Sequence, residues 1–459
     1  VQNTLIGGLA GDAITTANDN TGVGFQALTS TTTGHSNIAM GTNAMNGNTT
    51  GHSNTGVGFQ ALANNTTGTT NTGLGYNAGV NITTGAGNVA VGKSALEANT
   101  TGANNTIIGA TAGDALTVGN SNTAVGQNAL SLDTKGDINT AIGIGALQSQ
   151  NFTSTTDSYN TAVGGFAGGN NTTGQANTFV GGLAGSQNTT ASNNTAVGRS
   201  ALGANTTGAT NTALGSVALA ANTTASFNTG IGYAALTTNQ TGAQNTAVGY
   251  SALNLATGAD NTAVGSQALA NVAAGTYNTA LGRSAGQAVT TGGYNTFIGG
   301  LAGDANTTAS AITAVGYGAL GSNTTGAGNT AVGADSLDAN TTGANNVAMG
   351  NSALGANTTG SYNVGVGVAS LGTNTTGTQN AAFGRNSLNA NTTGANNVAI
   401  GNETLLANTT ASNNTAVGFQ ALDANTTGPN NTAVGYLSLS GNTTGSLNTA
   451  VGGDTLKVN

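Results

Sequence analysis

The stretch NTAVGFQALDANTTGPN, Asn414–Asn430, is one copy of a unit that the chain repeats from end to end. With the Asn of N-T-A-V-G as position 1, copies begin at Asn3 and recur to Asn448, 27 in all. The spacing is 17 residues except twice: four extra residues separate Asn139 from Asn160, and one is missing between Asn245 and Asn261. The insertion falls in Gln148–Tyr159 and the deletion in Asn254–Asp260, where other copies read A-N-T-T-G. Surface turns absorb changes of length and ladders of paired strands do not. N-T-T-G is therefore read as a turn whose Gly supplies a positive φ. N-T-A-V and the x-x-A-L-x that follows Gly are read as two strands.

A helical repeat is excluded by near-constant glycines and abundant Asn and Thr, and because two-helix units need about thirty or more residues. Seventeen residues suit one coil of a parallel β-solenoid. The whole chain, 1–459, reads as a single all-β array, and 27 coils at the ~4.8 Å spacing of paired strands predict a rod about 130 Å long.

Composition narrows function. Gly accounts for 76 of 459 residues, and only 4% are charged, with a net charge of -8. Regularly placed Val, Ile and Leu argue for order rather than disorder. Six cations form no basic patch, which disfavours nucleic acid. No apolar run is long enough to span a membrane. The chain has no Cys, so neither disulfides nor thiol chemistry is available. It begins at Val1 and stops within a repeat, which reads as part of a longer protein.

Position 4 is apolar in every copy, as in Val125, Ile142, Leu214, Met349 and Phe383. Strand alternation then places positions 2 and 4 inside the coil and position 3 outside it. Asn at position 1 suits a stacked amide ladder; only Ile312 breaks it. Position 6 carries Lys93, Arg199, Arg283 and Arg385 and is read as solvent-facing. Position 3 is large in four copies (Leu5, Ile107, Phe179, Phe297), and position 9 is then Gly instead of Leu: Gly11, Gly113, Gly185, Gly303. Volume gained at one site is offset at the other, so the two share a space. With position 3 outward, that space is a stripe between subunits, typified by Ala416, Leu422, Phe179 and Phe297. A wider coil with the position-9 Leu inside is the alternative.

N-T-A-V-G, here Asn414, Thr415, Ala416, Val417 and Gly418, resembles the head repeats of YadA-like trimeric autotransporter adhesins, and also repeats of tail-fibre proteins. The likeness runs along nearly the whole chain, although 17 residues exceed the usual period of that family and no stalk or anchor lies within these residues. It implies a left-handed parallel β-roll, a homotrimer, display outside the cell and a role in attachment.

Chemistry is sparse. His35 and His52 share position 16 of adjacent copies and are read as a stacked, exposed turn pair. Asp12, Asp114, Asp304, Asp338 and Asp423 fall at position 10, with Glu97 one copy before Asp114. No catalytic, cofactor or metal site is expected. Candidate surface-contact aromatics come in pairs one copy apart: Phe59 with Tyr76, Tyr233 with Tyr250, Tyr277 with Tyr294, and Phe419 with Tyr436. They suit glycan stacking or mutual packing. N-x-T sequons, as at Asn205, Asn340 and Asn391, are possible glycan acceptors. Ice binding is disfavoured, because only one of two adjacent threonines can face a given side. The expectation is a non-enzymatic extracellular fibre or adhesin rod at the cell surface, self-associating as a homotrimer, with a host receptor or glycan as partner. A phage tail-fibre shaft and an end-to-end filament are the alternatives.

Overall fold

A computed structural model describes residues 2–457. Among them there is no helix; each repeat supplies one three-residue strand at positions 2–4, and within each of the two units described next the successive strands pair in parallel. The chain forms two compact units, Val1–Asn228 and Thr229–Asn459. Within either unit successive copies stack in register, Thr195 on Thr212 in the first and Thr415 on Thr432 in the second. The β-solenoid expected from the repeat is what the chain forms.

Both irregular spacings leave the ladder untouched. Across the insertion Thr140 still pairs with Thr161, and across the deletion Thr246 still pairs with Thr262. Within the inserted stretch Thr156–Asp157 pair in parallel with Gly136–Asp137 of the preceding turn, and Phe152 is buried.

The strand faces are inverted relative to the sequence reading. Position 3 is buried in every coil except the first, where Leu5 is exposed, whereas positions 2 and 4 look outward: Ala416 is fully buried between the partly exposed Thr415 and Val417. The reason is width. Position 3 faces the position-9 side chain across a thin coil, and Leu422 is also fully buried. A methyl group fits there; a Val or Ile does not unless position 9 gives way, so the larger residue goes out.

A second strand after the glycine does not form. Positions 6–11 are a run of turns, with positive φ at position 7 (Gln420, +51°) and at the Leu of position 9 (Leu422, +55°). A left-handed Leu costs roughly 1–2 kcal/mol, which the ~1.5–3 kcal/mol gained by burying its side chain offsets. Coil-to-coil hydrogen bonds continue through these turns: Leu422 N donates to Ser438 O at 2.9 Å and Thr426 N to Thr443 O at 2.8 Å.

The glycines have exchanged roles too. The Gly of N-T-T-G is not left-handed, and Ala191, Ala225 and Ala411 replace it in some coils. Position 5 is where glycine is required: φ lies between +126° and +141° in every copy. A Cβ on Gly181 would also stand 2.7 Å from the carbonyl carbon and oxygen of Gly198 in the next coil. At its sequence neighbour Gly182 a Cβ would meet nothing within 4 Å. Gly181→Ala is therefore expected to lower stability by about 3 kcal/mol or more, and Gly182→Ala to stay within about 0.5 kcal/mol of the parent, both read from urea unfolding midpoints.

Candidate functional site

Position 1 is a buried amide column within each unit. Asn346 is typical. Its Nδ2 donates to Gly360 O at 2.9 Å, and its Oδ1 accepts the backbone N–H of Asn363 at 2.9 Å. Its own N–H donates to Asn329 Oδ1 at 2.8 Å. One side chain thus satisfies backbone groups of two coils, where the chain enters the strand and the ladder would otherwise break.

A second amide column, not anticipated from sequence, runs at position 12. In the first unit Asn188 Nδ2 donates to Asn171 Oδ1 and Asn205 Nδ2 to Asn188 Oδ1, both at 2.8 Å. In the second it runs from Asn306 to Asn442, with links such as Asn340 to Asn323 at 2.7 Å and Asn391 to Asn374 at 2.7 Å. These are the sequon asparagines. Asn205, Asn340 and Asn391 are fully buried, and each also donates to the Gly three residues on. The glycan-acceptor reading is thereby overturned: the acceptor nitrogens lie inside the coil. The neighbouring Thr hydroxyl is occupied as well, Thr341 Oγ1 donating to Thr358 O at 3.1 Å, which leaves one outward Thr per turn.

The expected subunit stripe is corrected in the same way. Ala416, Leu422, Phe179 and Phe297 are all fully buried within their own chain. The compensation between positions 3 and 9 is real, but it operates inside the coil and involves position 12. Phe179 fills the space of two leucines: a Cβ at Gly168 of the preceding coil would come within 2.7 Å of its ring, and one at Gly185 would collide with it. Phe297 stands in the same relation to Gly286 and Gly303. Gly79 makes room instead for Ile82 at position 12, 3.0 Å from where its Cβ would be.

What remains outside is a column of apolar side chains at position 4 and the position-6 row. Leu214, Leu281, Met349 and Ile400 are each between two-fifths and one-half exposed. The aromatic pairs form as the spacing implies. Ring centroids lie 5.3 Å apart for Phe59 and Tyr76, and 5.7 Å for Tyr233 and Tyr250. They lie 5.1 Å apart for Tyr277 and Tyr294, and 5.8 Å for Phe419 and Tyr436. Interplanar angles of 10–12° turn one face of each ring onto its partner.

The expectation of eight contact rings is narrowed by that stacking. All eight are exposed, but Tyr76, Tyr250, Tyr294 and Tyr436 each cover one face of Phe59, Tyr233, Tyr277 and Phe419, and lose the same face themselves. Each pair is engaged first in cross-coil packing.

The position-10 carboxylates line the turns. Burial raises the pKa of Asp114, with the Glu97 charge adding to it; burial also raises Asp338, helped by Asp335 and Asp304. Asp304 and Asp423 are raised by burial as well. Such carboxylates cost stability at neutral pH, a cost relieved as the pH falls through the raised values. Asp304, Asp335 and Asp338 border an open cavity of about 360 Å³ beside Tyr317. A smaller one, about 170 Å³, lies over Phe166, Leu183 and Gln148. No protein-family model matches this chain, and no curated protein sequence does.

Asn99 is the exception in the position-12 column. It sits between Ile82 and Leu116, and neither its buried Nδ2 nor its Oδ1 finds a partner. Elsewhere Val272 occupies position 12 beneath a position-9 Leu and is fully buried. Asn99→Val should therefore raise stability by about 1–3 kcal/mol, and Asn188→Val, which breaks a connected run, should lower it by a similar amount. Chemical denaturation of the two variants checks both signs.

Proposed function

We propose that this chain is a non-enzymatic extracellular fibre or adhesin rod that associates with two further copies of itself and mediates attachment at a surface. The observation that carries this reading is the apolar column at position 4. Every coil places a Val, Ile, Leu, Met or Phe at an outward position, beside a mostly Thr position 2, whereas the interior is filled by Ala, Leu and Asn. A single apolar residue outside needs no explanation; a register-locked column does.

Magnitudes favour self-association of a long array. Covering the exposed half of one such side chain contributes roughly 1 kcal/mol per coil at about 25 cal/mol per Å². Association costs roughly 4–15 kcal/mol in lost rotational and translational freedom. A few coils could not hold a partner, while a long stack can. The partner that offers a matching column at the same ~4.8 Å pitch is another copy, and cyclic assemblies close such contacts. The resemblance of N-T-A-V-G to YadA-like head repeats supports three as the number, and supports display outside the cell. The free faces of the outward aromatics and the single outward Thr of each turn are the groups left to meet a receptor or glycan.

Light scattering after size exclusion, at several concentrations, is expected to give a constant mass of three chains. Leu281→Asp combined with Met349→Asp should reduce it without unfolding the coils. A single-chain mass for the parent would overturn the assembly, and a mass that climbs with concentration would point to an end-to-end filament instead.

A further inference from the structure

His35 and His52 are the only two histidines of the chain, and the solenoid sets one upon the other. Their rings stack with centroids 4.8 Å apart and planes within 2° of parallel. The turn that carries them is pinned on both sides: Ser53 N donates to His35 O at 3.0 Å, and Thr70 N donates to His52 O at 3.1 Å. Each Nδ1 lies 3.3 Å from the hydroxyl of the following serine, Ser36 and Ser53. Two imidazoles are thus held in the same orientation on adjacent rungs, with the same ring nitrogen tethered in both. Among the described residues no hydrogen bond engages either Nε2.

We infer that His35 and His52 form a two-imidazole chelate for a divalent transition metal of the Ni²⁺, Cu²⁺ or Zn²⁺ class. Imidazole suits these ions, whereas Mg²⁺ and Ca²⁺ take oxygen ligands. A serine hydroxyl at the other ring nitrogen is the outer partner that orients a metal-binding histidine. Two neighbouring nitrogens on one ion at ~2.1 Å stand about 3.0–3.4 Å apart. In the stacked pair the two Nε2 lone pairs run side by side, so binding one ion requires both rings to turn out of the parallel stack and bring their Nε2 tips roughly 1.5 Å closer than the ring spacing, a change that side-chain rotation supplies. His35 is exposed and His52 half-buried, so both can make that adjustment. Among the described residues no third His, Cys, Asp or Glu joins them; the remaining positions on the ion fall to water. The same column carries Asn18 before the pair and Thr69 after it, and Asn18 Nδ2 is bound to Asp19 Oδ2 at 2.6 Å.

The test is calorimetric titration of the untagged full chain with NiCl₂ at neutral pH, with MgCl₂ as the comparison. The expected result is one Ni²⁺ per chain, no Mg²⁺ binding, and affinity at least tenfold weaker in His35→Gln and in His52→Gln. Unchanged urea midpoints would show that both variants remain folded. Failure of the parent to bind Ni²⁺, or equal affinity in parent and single variants, would overturn the site.

Discussion

The structure depends on the amide of position 1. A short solenoid coil must bend sharply just before its strand, and at a bend the backbone cannot present both its N–H and its C=O to neighbouring coils. The Asn side chain supplies the missing acceptor to the next coil and the missing donor to the Gly carbonyl 14 residues on, as at Asn380, whose Nδ2 lies 2.9 Å from Gly394 O. A buried backbone group without a partner costs about 1–3 kcal/mol, and this cost would recur in every coil. That recurrence explains a repeat that tolerates Thr, Val, Ile or Ala at position 2 but holds Asn at position 1 in all copies except that of Ile312.

The second constraint is the narrowness of the interior. Positions 3, 9 and 12 share one small space, and their volumes trade against one another: Ala, Leu and Asn in the regular coil, Phe with two glycines around Phe179, Gly with Ile at Gly79 and Ile82. Apolar side chains larger than this space permits are displaced outward to position 4. The exposed column on which the proposed self-association rests is thus a consequence of how little fits inside. The proposed function accordingly rests on the outer columns that the coils align.

Much of the architecture is legible in the repeat. The period, the placement of both length changes in the turn, the Asn column and the 3–9 compensation all follow from aligning seventeen-residue copies. The inside–outside assignment does not, because it rests on the rule that the larger apolar residue of an alternating pair is buried. That rule presumes room, and the usual smallness of position 3 is the sign that room is lacking. The position-12 column is hidden by its likeness to turn chemistry and to a sequon. Its signal is the exchange of Asn for Ile14, Ile82, Leu116, Val272 and Val289 at the same place, an exchange that an exposed turn has no reason to make. The aromatic pairs are legible as neighbours, since spacing alone stacks Tyr250 on Tyr233 or Tyr436 on Phe419, but spacing does not say how much of each ring the stacking covers. The left-handed leucines leave no trace in composition, since a buried Leu outweighs its backbone cost.

The claim that position-1 amides replace missing backbone partners is tested most directly by residue-resolved hydrogen exchange. Asn346, Asn363 and Asn380 each donate a backbone N–H to the Asn of the preceding coil, and should be protected as strongly as the strand amide of Val364, which donates to Asn380 O. Asn329 follows Ile312, which has no amide oxygen to offer, and its backbone N–H should exchange at least tenfold faster than that of Asn346. Equal protection at Asn329 and Asn346 would contradict the account.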